Sequence, residues 1–117
     1  MQFTLMIFEA PDGFAARTDS KQQKSYWSGT FAFLSALKEE GVFRGGAGLQ
    51  TPDTATTLRY SNGNTALSDG PAPAAAEQLG GYFIVDVPDL DHALDWAARF
   101  PQRPGVAVEV RPNLAHD

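Results

Sequence analysis

The amino-acid sequence predicts an α+β fold of ferredoxin-like type, with one antiparallel sheet carrying two helices on one face. Three observations carry this expectation: strand-forming stretches at residues 2–8, 82–87 and 106–111, apolar residues at helical spacing after Ser20 and after Asp89, and a hairpin signal at Asn62-Gly63. The resulting order is strand, helix, strand, hairpin, strand, helix, strand. Right-handed crossovers then place both helices on the same side of the sheet.

Phe3, Leu5 and Ile7 alternate with Thr4 and Met6, as a strand with one buried side requires. Pro11, Asp12 and Gly13 break that pattern. Ser20 with Gln23 resembles a capping box and predicts a helix start, after which Trp27, Phe31, Leu34 and Leu37 form the expected buried stripe and Gly41 the stop. Val42 to Leu49 reads as a strand whose Gly45, Gly46 and Gly48 indicate a bulge or a close backbone approach. A phosphate loop would need a following Lys-Ser or Lys-Thr and a helix, and neither is present.

Thr56, Leu58 and Tyr60 alternate up to Asn62-Gly63, and residues 64–67 form the returning arm. Residues 68–81 are expected to be irregular, because Gly70, Pro71 and Pro73 interrupt pairing, and to serve as a surface crossover or a pocket rim. After the strand at 82–87, Pro88-Asp89 marks the second helix, with Asp89 as its cap and Leu90, Ala93, Leu94 and Ala97 as its buried face. Pro101 ends it, and Val106, Val108 and Val110 alternate in the last strand with Ala107, Glu109 and Arg111.

A chain of 117 residues suits one hydrophobic core, so residues 1–117 are expected to form a single domain. The net charge of −5 would repel a phosphate backbone, which argues against direct nucleic-acid binding. The absence of cysteine excludes disulfides, thiolate catalysis and Cys-ligated metals, and fits a reducing cytoplasm. No stretch approaches the roughly 18 apolar residues of a membrane span. His92 and His116 are too few and too far apart for a metal site, so neither metal nor cofactor is expected, and His92 reads as a solvated surface residue.

Three segments carry a family resemblance: Asp69-Gly70-Pro71, the run from Glu77 to Pro101, and Val108 to Pro112. Together they resemble the YCII-related proteins, and within them the DGPF-domain group, along nearly the whole chain. The resemblance implies a dimeric α+β-barrel, a homodimer packed through its sheets. A few relatives in the wider superfamily are lyases acting on small aromatic compounds, and some members carry transcription-initiation names or accompany sigma factors. Where the group commonly reads DGPFAETKE, residues 69–77 read DGPAPAAAE, so only Asp69, Gly70, Pro71 and Glu77 match. The histidine that proposed enzymes of the superfamily pair with an aspartate has no counterpart in the first two-thirds of the chain.

Asp69 and Glu77 flank the irregular loop and are the candidates for an acid–base pair, with an Asx-turn and a solvated carboxylate as the plain alternatives. Arg59, Tyr82, Asp86, Glu109 and Arg111 occupy strand positions that should line the open sheet face. There the arginines suit a small anionic ligand and the tyrosine a hydrogen bond to it, unless the same groups form a salt-bridge ladder or a dimer contact. Two functions follow: a cofactor-independent lyase or isomerase working with carboxylates, or a non-catalytic ligand-binding or regulatory accessory.

Overall fold

Strand β1 (Gln2–Glu9) runs through the middle of a four-stranded antiparallel sheet and is buried at every second residue. The structure, a computed structural model, describes residues 1–115. After β1 come α1 (Pro11–Ala15), α2 (Gln23–Glu39), β2 (Phe43–Gly48), a short turn at Pro52–Thr54, β3 (Thr56–Ser61), β4 (Asn64–Asp69), β5 (Gln78–Asp86), α3 (Leu90–Ala98) and β6 (Val106–Pro112). The sheet order is β2-β5-β1-β6. The fold is α+β, with a mainly antiparallel sheet and three helices among the described residues.

Two expectations about the framework need correction. Among the described residues the hairpin strands β3 and β4 pair only with each other and do not join the main sheet. Positive φ angles at Asn62 (49°) and Gly63 (79°) make the tight turn, and Gly70 N–H donates to Ala55 O at 2.7 Å to close the base. The irregular stretch is also shorter than expected, because β4 runs to Asp69 and β5 begins at Gln78. Gln78 holds that boundary with side-chain donations to the carbonyls of Pro73 (2.9 Å) and Ala75 (2.7 Å).

Phe3, Leu5, Ile7 and Val85 form the sheet's contribution to the core, and Phe33, Leu37, Ala93 and Phe100 come down on them from the helical side. Both long helices therefore cover one face. Their inward faces keep Leu37, Ala93 and Ala97 of the expected stripes and depart from them elsewhere. Tyr26, Phe33 and Leu37 are the buried residues of α2, while Trp27 and Phe31 are exposed. On α3, Ala93 is buried and Trp96 and Ala97 pack against the core, whereas Leu90 and Leu94 face outward. A turn of about 100° is one residue on a helix, so a second stripe at the same spacing competes with the first. Asp89 does cap α3, accepting from the His92 backbone N–H at 2.9 Å. The capping box expected at Ser20 does not form, and α2 starts at Gln23 without a side-chain cap. No helix among the described residues is long and apolar enough to cross a membrane.

Candidate functional site

Glu9 ends β1 on the core-facing side, one step beyond Ile7 in the same alternation, and is only 1% exposed. A carboxylate there must be paired, because an isolated buried charge is costly. The chain supplies its partners from three places. Tyr26, in the first turns of α2, donates its hydroxyl to Oε1 at 2.7 Å and lies 3.0 Å from Oε2. Arg17, just after α1, has Nη2 at 3.9 Å from Oε2, and Arg103, before β6, has Nη2 at 3.6 Å from Oε1.

Arg17 is fixed on all sides. Its Nε donates to the Tyr26 hydroxyl at 2.8 Å, Nη1 to the Leu49 carbonyl and Nη2 to the Gly80 carbonyl at 3.1 Å. Arg103 stacks over the Tyr26 ring, 3.9 Å from its centroid, and donates Nη1 to the Tyr26 carbonyl at 3.3 Å. Its Nε and Nη2 are buried without a hydrogen-bond partner among the described residues. Burial, and then the bond to Glu9, push the Tyr26 hydroxyl above its ordinary pKa of 10.0 against the opposing pull of Arg17, so the phenol keeps its proton.

Glycine makes room for this cluster. A Cβ on Gly80 would stand 3.1 Å from Arg17 Nη2 and 3.5 Å from the Glu9 carboxyl carbon, and one on Gly13 3.1 Å from Glu9 Cβ. Gly80 is the extra residue of a bulge, since Ile7 pairs with Gly81 and Phe8 with Leu79.

The cluster opens onto a pocket of about 180 Å³ between α2, β2 and β5. Its apolar wall is made by Ile7, Trp27, Phe31, Leu34, Phe43 and Phe83, and its polar side chains are Thr30 with Glu9, Arg17 and Tyr26. Thr30 spends its hydroxyl on the Tyr26 carbonyl at 3.0 Å, which leaves the Glu9 cluster as the polar end. Trp27 and Phe31, with ring centroids 6.5 Å apart, supply exposed aromatic surface to the same pocket.

The residues singled out from the sequence lie elsewhere. Strand register puts Tyr82 and Glu109 opposite Met6, Arg111 opposite Thr4, and Asp86 opposite Gln2, on the sheet face away from the helices. Arg111 is paired there with Glu109, and Asp86 takes the Met1 amino group at 3.1 Å and Arg44 Nε at 3.7 Å. Arg59 is not on that face. It sits on the separate hairpin and donates to the Ala72 carbonyl at 2.6 Å. Asp69 ends β4, and Glu77 precedes β5 in an exposed segment. None of these residues lines the Glu9 pocket. His92 is exposed and bonded to Asp89, and His116 lies outside the described residues. No group of three or more His, Asp or Glu side chains among the described residues could hold a metal ion.

An uncharacterised protein of Rhizobium meliloti (strain 1021) is 41% identical over 68 residues, covering 55% of each chain, so the match spans about half the length of that curated relative. The family model of the YCII-related domain matches residues 1–112, and the chain belongs to that family.

Proposed function

We propose that the protein binds a small, single-ring organic molecule in the pocket beside Glu9. One observation carries this reading: a buried, charged and hydrogen-bonded cluster forms the polar end of an otherwise apolar pocket. That combination orients a ligand by a few fixed polar groups while its body is held by apolar contact. The volume, about 180 Å³, is near the roughly 150 Å³ apolar cavity known to take benzene.

Binding is favoured over catalysis by the state of the carboxylate. The lyase or isomerase reading needs a free base against the ligand. Glu9 is the one acidic side chain among the described residues that lines the pocket, and it is already held by Tyr26 and two guanidiniums. Tyr26 holds its proton and suits donation better than abstraction. A ligand-binding or regulatory accessory fits these groups better than an enzyme.

The assembly we propose is a ferredoxin-like subunit paired with a second copy through the open sheet face. The strand order β2-β5-β1-β6 supports the fold, and the half-buried Met6, Phe8, Leu79 and Ile84 support a covered face. The separate hairpin adds exposed Leu58, Tyr60 and Leu67. Light scattering should give twice the 12.6 kDa chain mass, and the chain mass alone at every concentration would remove the dimer.

Ligand binding is tested by amide and indole NMR during titration with single-ring aromatics. Shifts concentrated at the Trp27 indole, Phe31 and Gly46–Gly48 are expected. Shifts confined to Tyr82 and Arg111 would move the site to the opposite sheet face.

A further inference from the structure

We infer that the ligand of the Glu9 pocket is a small monocarboxylate, its anionic head against Arg17 and its ring over Phe43 and Phe83. This rests on the pocket being a ligand site, as proposed above. The argument is a charge count in a place where charge is hard to leave unbalanced.

Arg17 and Arg103 each have Glu9 as their one carboxylate within 4 Å among the described residues. The Arg17 side chain is 11% exposed, Arg103 18% and Glu9 1%. Arginine stays protonated at any ordinary pH, and Tyr26 is neutral. Two cations therefore face one anion, and the cluster is left with a single positive charge largely out of water. Burial of an unmatched charge is unfavourable, and one ligand carboxylate brings the count to zero. A cationic ligand would add to the imbalance, and a dianion such as phosphate would overshoot it.

Hydrogen bonding selects the same head group. Three of the five N–H groups of Arg17 are engaged, by the Tyr26 hydroxyl and the carbonyls of Leu49 and Gly80. Two remain on a guanidinium that lines the pocket, and a planar carboxylate accepts from such a fork. Arg103 does not line the pocket. It acts from behind, balancing Glu9 so that the charge of the fixed Arg17 is left for the ligand.

The remaining lining decides the body of the ligand. Phe43, Phe83, Phe31 and Leu34 offer no donor or acceptor, so a sugar acid or a hydroxylated chain would lose its water without replacement. A ring bearing one carboxylate meets both ends of the site.

Titration calorimetry at neutral pH with benzoate, phenylacetate and the two matching amides tests this. The acids should bind about tenfold or more tighter than their amides, a difference of about 1.4 kcal/mol. Arg17→Gln should reduce that preference to less than about threefold, while Arg111→Gln on the far sheet face leaves it intact. Because Arg17 also ties down two carbonyls, Arg17→Lys serves as the second variant. It keeps the charge and should keep the acid preference. Equal binding of acids and amides would overturn the anion while leaving the pocket standing. Failure of all four probes to bind at millimolar concentration would overturn the pocket and the anion together. An acid preference abolished by Arg111→Gln and kept in Arg17→Gln would place the anion on the open sheet face instead.

Discussion

The Tyr26 hydroxyl sits between Arg17 Nε at 2.8 Å and Glu9 Oε1 at 2.7 Å, accepting from the first and donating to the second. One side chain on α2 thereby joins the end of β1 to the segment after α1. Tyr26→Phe removes the donor and leaves a buried carboxylate short of a partner, at an expected cost of about 1–3 kcal/mol. Glu9→Gln should cost more, about 3–5 kcal/mol, since it leaves two largely buried guanidiniums without an anion. Urea denaturation of both variants measures the order. A Glu9→Gln protein as stable as wild type would show that the cluster is already relieved by water.

Gly46 and Gly48 lie two residues apart on β2, yet substitution should separate them sharply. A Cβ on Gly46 would stand 2.5 Å from the Tyr82 carbonyl oxygen, and its φ of 158° is one that side chains rarely adopt. A Cβ on Gly48 meets nothing within 4 Å. Gly46→Ala should therefore lose more than about 1 kcal/mol, and Gly48→Ala should stay within about 0.5 kcal/mol of wild type. Equal losses would mean that the two backbones are further apart at the β2–β5 bulge.

The cap of α3 titrates. Asp89 accepts from both the backbone N–H and the ring Nδ1 of His92, and the ring contact raises the histidine above 6.5 and lowers the aspartate below 3.8. The protonated histidine is favoured by folding, so its contribution is complete below pH 6.5 and is lost as pH rises through the folded value. The ionised aspartate contributes above pH 3.8 and loses that contribution as pH falls through its folded value. Both are present together between those limits. NMR titration of His92 should give a midpoint above 6.5 that returns toward 6.5 in Asp89→Ser, a change that keeps a capping oxygen and removes the charge. An unmoved midpoint would show that the ring contact is absent in solution.

Local pattern sufficed for the parts of the fold whose causes are local. β1 follows from alternation, the hairpin turn from Asn62-Gly63, and the start of α3 from Asp89. The face of α2 was not legible in the same way. Residues 27, 31, 34 and 37 share one stripe, and residues 26, 30, 33 and 37 another that is just as regular but contains Tyr26 and Thr30. The choice between them depends on Glu9, seventeen residues from Tyr26, and on Arg103, seventy-seven residues away. No window along the chain contains all three. The one local sign was that the alternation Phe3, Leu5, Ile7 continues onto a carboxylate at position 9. The arginines on the strands were easier to see than Arg17, which lies just past a helix of five residues whose Pro11-Asp12-Gly13 start reads as a break.

The two stripes of α2 also make a prediction about division of labour. Phe33 is 4% exposed and meets Phe83 and Phe100 edge-on at centroid distances of 5.2 Å each, so its removal opens a cavity beneath the sheet. Phe33→Ala should cost about 3–5 kcal/mol. Phe31, two residues earlier, is 61% exposed and lines the pocket, where its ring meets that of Trp27. Phe31→Ala should change stability by less than about 0.5 kcal/mol, because little apolar surface is returned to water. It should nevertheless weaken binding of a single-ring ligand, since the aromatic surface it removes lies beside the bound ring. Thermal melts with and without benzoate read both effects at once. A Phe31→Ala protein that melts as wild type does and still shows the full ligand-induced rise would separate the exposed aromatic pair from the pocket. A large loss of stability would instead mean that Phe31 is covered in solution, as it would be if a second subunit packed against α2.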